Sequence, residues 1–106
     1  MNNSFQITWS YYAQKQYNKL DKTTQIAINK WIEEHLENCT DPKIYGKALQ
    51  GNLKEYWRYR IGDYRLISEI QNNTLKILIV YVGHRCEIYK RIKEDTDDII
   101  KEGLYV

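Results

Sequence analysis

The alternation of apolar and polar residues predicts three short β-strands, and a fourth is predicted by a continuous apolar run. Alternation indicates a strand with one buried face, whereas a continuous apolar run indicates a central strand covered on both faces. The alternating segments are 5–9, 56–61 and 64–70, and the apolar run is 75–82.

Two short polar segments predict tight turns between the last three strands. Gly62-Asp63 matches a two-residue hairpin connection, with Gly62 at the first central position as a type II′ turn prefers. Asn72-Asn73 predicts the next turn.

Helical spacing between the first two strands predicts a pair of antiparallel helices. Ser10 can cap the first helix and Asp21 can cap the second, longer one. Asp41-Pro42 is expected to end the second helix, because the residue before a proline disfavours helical geometry. The segment from Gly46 to Gly51 is expected to be a loop. The apolar positions that recur at helical spacing are Ala13, Tyr17 and Leu20, then Ile28, Ile32, Leu36 and Cys39.

The order of these elements predicts an α+β fold in which residues 1–106 form a single domain. We expect a mostly antiparallel four-stranded sheet with the N-terminal helical hairpin packed on one face. The other face of the sheet is then free for function. Residues 88–92 and 97–101 are expected to form a short C-terminal helical tail.

Positive charge is concentrated in one part of the chain, although the net charge of the whole chain is only +2. Residues 43–91 contain ten Lys or Arg and four Asp or Glu, a local excess of +6. Such a block is expected where a polyanion binds.

The other compositional signals are weak. Cys39 and Cys86 fit no metal-ligand spacing, so neither a metal ion nor a cofactor is expected, and a reduced cytoplasmic protein is the default. The apolar run at 77–82 is too short to span a membrane.

The strand at 56–61 alternates arginines with aromatic residues. Successive side chains of a strand point to opposite faces, so Tyr56, Arg58 and Arg60 share one face. Two guanidinium groups beside a tyrosine ring offer planar hydrogen-bond donors to phosphates and a stacking surface to bases. This face therefore predicts RNA contact. The opposite, core-forming set is Trp57, Tyr59 and Ile61.

Three segments closely resemble RelE-type toxins of the RelE/ParE toxin-antitoxin superfamily. They are GKALQG at 46–51, WRYRIGDYR at 57–65 and VGHRCEIYK at 82–90. The resemblance implies a small bacterial toxin with a microbial RNase-like fold that enters the ribosomal A site and cleaves mRNA without a metal ion. It also implies a cognate antitoxin, RelB-like or another small protein, as partner.

The resemblance assigns an active site residue by residue. The two basic positions of the strand after the glycine loop, commonly lysines in this family, fall on Arg58 and Arg60 here. The turn that follows is shorter than in the best-known members. The next strand and the segment after Val-Gly supply Arg65, Arg85 and the C-terminal tyrosine Tyr89. Further RNA-contacting candidates are Lys47, Lys54, Tyr56 and Lys90.

The chemistry of RNA cleavage limits what these residues can do. In-line attack by the 2′-hydroxyl needs a base, cations that stabilise the developing negative charge, and an acid for the leaving oxygen. Arginine suits the cationic role but not the basic one, since its pKa exceeds about 12. Proton transfer is therefore expected from Tyr89, with His84 and Glu87 as alternatives.

Each assignment has a structural alternative. Arg65 could simply pair with Glu69, and Tyr89 could be an ordinary packing residue. Two other functions also stay open: a ParE-like inhibitor of DNA gyrase without nuclease activity, and a degenerate toxin that only binds its antitoxin.

Overall fold

The computed structural model describes residues 4–49 and 56–87. Within these residues the predicted α+β fold is confirmed, with the helices preceding most of the sheet. The predicted helical tail lies outside the described residues. The elements are β1 (Gln6–Trp9), α1 (Tyr11–Asn18), α2 (Lys22–His35), a 3-10 helix (Pro42–Tyr45), β2 (Lys47–Ala48), β3 (Tyr56–Ile61), β4 (Tyr64–Gln71) and β5 (Lys76–His84).

The strands form one sheet in the order β1-β5-β4-β3-β2, in which β1 is parallel to β5 and the other pairs are antiparallel. The prediction of four strands was wrong by one. Lys47 and Ala48, predicted to lie in a loop, pair with Arg58 and Trp57 at the sheet edge. A strand of two residues is too short to show alternation, so no sequence pattern reveals it.

The predicted hairpin between β3 and β4 is confirmed. Ile61 pairs with Tyr64, leaving Gly62 and Asp63 as a two-residue turn. Gly62 has a φ of 59°, whereas Asp63 is not in the positive-φ region. A type I′ turn needs positive φ at both central residues, so this turn is of type II′.

A β-bulge at Val80 changes the side-chain phase of β5. Ile67 pairs with Tyr81 and Ser68 pairs with Ile79, so Val80 has no partner in β4. Because the bulge adds one residue, Ile79 and Val82 both face the helices although they are three positions apart. The opposite side of this strand is only half-buried, which corrects the prediction that both faces are covered.

The hydrophobic core lies between the helices and one face of the sheet. The tyrosine ring of Tyr59 is completely buried and lies 5.4 Å from the ring of Trp31 on α2. This confirms the predicted core phase of β3. The buried core residues are Phe5, Ala13, Ile28, Ile32, Leu36, Tyr59, Ile61, Leu66, Ile77, Ile79 and Val82.

The helix caps agree only partly with prediction. Ser10 accepts a hydrogen bond from the Ala13 amide at 3.0 Å, as expected of a cap. Asp21 occupies the cap position of α2, but its carboxylate accepts a hydrogen bond from the Thr24 hydroxyl instead of from a backbone amide. That hydrogen bond is the main cause of the lowered pKa of Asp21.

Helix α2 ends at His35, before the predicted stop at Asp41-Pro42. Asn38 adopts a left-handed conformation with a φ of 61°, which asparagine tolerates better than most residues. Its amide donates to the Phe5 carbonyl, and the Phe5 amide donates to the Cys39 carbonyl. The helix therefore ends where the chain bonds to the segment before β1. None of the helices among residues 4–49 and 56–87 is long and apolar enough to cross a lipid bilayer.

We expect Gly46→Ala to destabilise the protein by about 1–3 kcal/mol, because overpacking a rigid contact carries such a cost. A Cβ at this position would clash with the Arg58 carbonyl oxygen and lie 2.7 Å from Cδ1 of Tyr59. Urea denaturation measures the change. Glu33→Ala on α2 is the control, because this side chain is exposed and lies outside the core cluster, so its replacement should change stability by less than about 0.5 kcal/mol. Equal stabilities of Gly46→Ala and wild type would contradict the close packing.

We expect stability to decrease above about pH 10 partly through Tyr59. Burial raises the pKa of Tyr59, whose hydroxyl donates to the Pro42 carbonyl at 2.8 Å. The native state then keeps a proton that the unfolded chain loses, so the free energy of unfolding falls by up to about 1.4 kcal/mol per pH unit. Tyr59→Phe should remove this contribution to the slope in urea denaturation between about pH 9 and pH 11. Tyr11→Phe, at a ring that is 79% exposed, is the control. If the free energy of unfolding falls equally steeply with pH in Tyr59→Phe and in the wild type, Tyr59 does not contribute to the loss of stability.

Candidate functional site

Four cationic side chains lie on the sheet face that is turned away from the helices. Directly paired residues of antiparallel strands point to the same face. The pairs are Lys47 with Arg58 and Arg60 with Arg65. We call the surface formed by Lys47, Arg58, Arg60 and Arg65 the arginine face. Tyr56 also points to this side, at the start of β3 and opposite Glu69.

The arginine face is not uniformly exposed, contrary to the prediction that it is free. Arg60 is exposed, but Arg58 is only 4% exposed and its neighbour Ile67 is also buried. Nε and Nη1 of Arg58 are buried without a hydrogen-bond partner in the described part of the chain. A buried guanidinium whose donors lack partners is costly to the folded state.

A cavity of about 270 Å³ lies beside Arg58. It is bounded by β3 and by the segment that joins the 3-10 helix to β2. Its lining residues are Ile44, Tyr45, Gly46, Lys47, Arg58 and Arg60. Sequence reasoning identified the cations but missed Ile44 and Tyr45, which are 66% and 38% exposed. The available sequence signal was the apolar pair Ile44-Tyr45 directly before Gly46-Lys47.

The hairpin turn contacts Arg65 and one further arginine, Arg85. Nη1 of Arg65 donates to the carbonyls of Gly62 at 2.9 Å and Tyr64 at 3.0 Å. Among the described residues no ion pair joins Arg65 to Glu69, which was the structural alternative. The Arg85 amide donates to the Asp63 carbonyl at 2.8 Å, and Nε of Arg85 lies 3.6 Å from the Asp63 carboxylate.

Asp63 is thus a site residue that sequence reasoning missed. It was assigned only to the turn, and its contact with Arg85 depends on the end of β5 reaching the hairpin. The ion pair itself is weak, since the Arg85 and Asp63 side chains are 54% and 72% exposed. The backbone hydrogen bond does more to fix the position of Arg85.

His84 and Glu87 lie away from the arginine face. His84 pairs with Tyr64 on the helix side, where the two rings meet edge to face at 5.4 Å, and its Nδ1 accepts from the Cys86 amide. Both His84 and Glu87 line a groove of about 790 Å³ between α1 and the end of β5, which we call the α1 groove. The structure therefore does not bring these two proton-transfer candidates to the arginines.

Three predicted site residues, Lys54, Tyr89 and Lys90, lie outside the described residues. Among residues 4–49 and 56–87, no group of three or more His, Cys, Asp or Glu side chains could hold a metal ion. The described site thus consists of guanidinium and ammonium groups, which can bind phosphates and stabilise developing negative charge.

Comparison with known proteins places this arrangement in a family. The family model described as ParE toxin of the type II toxin-antitoxin system parDE matches residues 7–89. The chain belongs to this family. It is thus a type II toxin of the RelE/ParE superfamily, as the sequence motifs predicted.

The toxin is also similar to individual members of the superfamily. It is 26% identical to Toxin RelG of Mycobacterium tuberculosis over 87 residues, which cover 82% of this chain and 98% of the relative. Two solved structures share its fold. A chain of the RelBE2 toxin-antitoxin complex of M. tuberculosis matches with a TM-score of 0.70 and 24% identity, covering 77% of this toxin and 92% of that chain. The isolated E. coli RelE toxin matches with a TM-score of 0.64 and 22% identity, covering 84% and 99%.

We expect Arg58→Met to stabilise the toxin by about 1–3 kcal/mol, because a flexible apolar side chain removes an unpaired buried charge. Arg60→Met is the matched control. Arg60 is exposed, so its replacement should change stability by less than about 0.5 kcal/mol. Thermal unfolding of both variants tests this. A lower melting temperature for Arg58→Met would show that the guanidinium is satisfied in the native state.

Proposed function

We propose that this toxin is a ribosome-dependent mRNA endonuclease, which cleaves mRNA in the A site through attack by the 2′-hydroxyl without a metal ion. The observation that carries the proposal is the direct pairing of Arg60 and Arg65 across β3 and β4. Like charges directly opposite each other are destabilising. No carboxylate in the described residues forms an ion pair with either arginine, so a bound phosphate would relieve their repulsion.

The proposed roles follow from exposure and hydrogen bonding. Arg60 is exposed and can contact the scissile phosphate directly. Arg58 is buried on the same face, and its Nε and Nη1 have no partner among residues 4–49 and 56–87. Nη1 of Arg65 is already bonded to the turn, which orients its guanidinium and leaves other N–H groups for RNA. The Arg85 amide donates to the Asp63 carbonyl, which supports a position of Arg85 at the same hairpin turn as Arg65. These four residues would stabilise the transition state.

Proton transfer is assigned to Tyr89. His84 and Glu87, the alternatives, line the α1 groove on the helix side of the sheet. Lys47 is proposed to contact RNA, which its pairing with Arg58 supports. The same role is proposed for Tyr56, Lys54 and Lys90.

We further propose that the toxin acts in the cytoplasm and is neutralised by a cognate antitoxin. Solved relatives support the latter, since they include RelB-RelE antitoxin-toxin complexes, one from Methanococcus jannaschii.

A second candidate function is inhibition of DNA gyrase without RNA cleavage. It is favoured by one observation: the family model that matches residues 7–89 is that of ParE toxins. The arginine face would then bind an acidic surface or DNA instead of a scissile phosphate.

A translation reaction programmed with a defined mRNA separates the two functions. Primer extension after adding the purified toxin should reveal new 5′ ends within codons positioned in the A site. A parallel reaction with gyrase and supercoiled plasmid should remain unaffected. Intact mRNA together with gyrase-dependent DNA breaks would establish the second function and reject the first.

We expect Arg85→Ala to reduce mRNA cleavage at least about 100-fold, the effect of losing one preorganised donor to a transition state. Antitoxin binding should survive, because Arg85 is exposed and belongs to no core cluster. Lys30→Ala on α2 is the control, since this exposed cation lies remote in sequence from the site. Growth arrest by Arg85→Ala equal to that of the wild type would show that Arg85 has no catalytic role.

A further inference from the structure

The α1 groove is the larger of the two cavities described above, and the proposed catalytic residues on the arginine face leave it unused. It lies between α1 and the end of β5 and has a volume of about 790 Å³. The Gln16 side chain joins its two walls, because Oε1 of Gln16 accepts a hydrogen bond from the Val82 amide at 3.0 Å. The groove is therefore part of the folded core region, not a gap between loose segments.

The charge of the groove favours an anion. Lys15 and Lys19, on α1 and at its C-terminal cap, both line it and are exposed. The other charged residues along it are Glu87 and the titratable His84. Neither lysine forms an ion pair within the described residues, and Nζ of Lys15 lies over the Tyr11 ring at 5.4 Å. Two ammonium groups are thus available to a ligand.

The groove also contains four ring side chains, which are Tyr12, Tyr64, Tyr81 and His84. They are arranged as two edge-to-face pairs, Tyr12 with Tyr81 at 5.6 Å and Tyr64 with His84 at 5.4 Å. Sites for single-stranded nucleic acid combine such rings, on which bases stack, with cations that follow the phosphates. An acidic protein segment would use the lysines but would gain little from the rings.

The groove reaches the side of the sheet that carries the arginine face at two positions of β5, Tyr81 and Gly83. Gly83 pairs with Arg65 in the sheet and also lines the groove. Since glycine has no side chain, nothing projects from β5 at this position. The arginine face and the groove therefore meet at the backbone of Gly83.

We propose that the α1 groove binds single-stranded RNA flanking the segment held on the arginine face, with Lys15 and Lys19 contacting its phosphates. This inference rests on the proposed function, because it assumes that RNA occupies the arginine face. It extends the RNA site to a length of several nucleotides and to the helix side of the sheet.

The test uses full-length toxin and fluorescent 2′-O-methyl oligonucleotides, which lack the attacking hydroxyl and cannot be cleaved. Fluorescence anisotropy gives affinities for a short probe of about three nucleotides and a long probe of about ten, within the range of single-strand site sizes. Titrations at several salt concentrations count the phosphate contacts, at a slope of about 0.7 per contact.

For the long probe, Lys15→Gln/Lys19→Gln should lower the salt slope by about 1.4, which corresponds to two lost contacts. The same double variant should bind the short probe with wild-type affinity. Arg60→Gln should weaken both probes, which reports on the arginine face independently of cleavage. Lys22→Gln/Lys30→Gln is the matched control, because these exposed lysines on α2 lie outside the groove and carry the same charge.

Three results would overturn the proposal. Equal losses for the two lysine double variants would indicate a general charge effect, and equal losses for both probe lengths would rule out a flanking site. Unchanged RNA binding by Lys15→Gln/Lys19→Gln, with weaker binding of a fluorescent polyglutamate peptide, would assign the groove to an acidic protein segment. If Arg60→Gln leaves RNA binding intact but Lys15→Gln/Lys19→Gln weakens it, the proposed role of the arginine face is wrong. The titrations of Lys15→Gln/Lys19→Gln still show whether the groove binds RNA.

Discussion

The register between β3 and β4 is the constraint on which the rest of this toxin depends. Because side chains alternate between the two faces of a strand, a shift of one residue would exchange the arginines with the core residues. Tyr59 would then leave the core and Arg60 would enter it. The two-residue turn at Gly62 sets this register, and the complete burial of Tyr59 against α2 makes the alternative costly.

Much of this architecture could be predicted because the relevant signals are local. Alternation separated the two faces of β3, Gly62-Asp63 indicated the hairpin, and Ser10 indicated the start of α1. The errors arose where distant segments decide the outcome. Helix α2 ends at His35 because residues 38 and 39 bond to Phe5, a contact that no local pattern encodes.

The site was predicted less completely than the fold. Strand phase placed Arg58 and Arg60 on one face, as observed, but phase contains no information about what covers that face. The burial of Arg58 was therefore not predicted. His84 was an alternative proton-transfer group because histidine titrates near neutrality, and the alternation of residues 82–86 already placed it opposite to Arg85. The structure puts His84 in the α1 groove.

The parallel pairing of β1 with β5 has a consequence for the synthesis of this toxin. Gln6 pairs with Lys76 and Trp9 with Ile79, so the first strand of the sheet is completed only by the last one. Such distant pairings form late and slow folding. The N-terminal residues must wait until β5 has left the translating ribosome, so an incomplete chain lacks the intact sheet that presents the arginines. The sheet that positions the arginines is therefore complete only after β1 and β5 have paired.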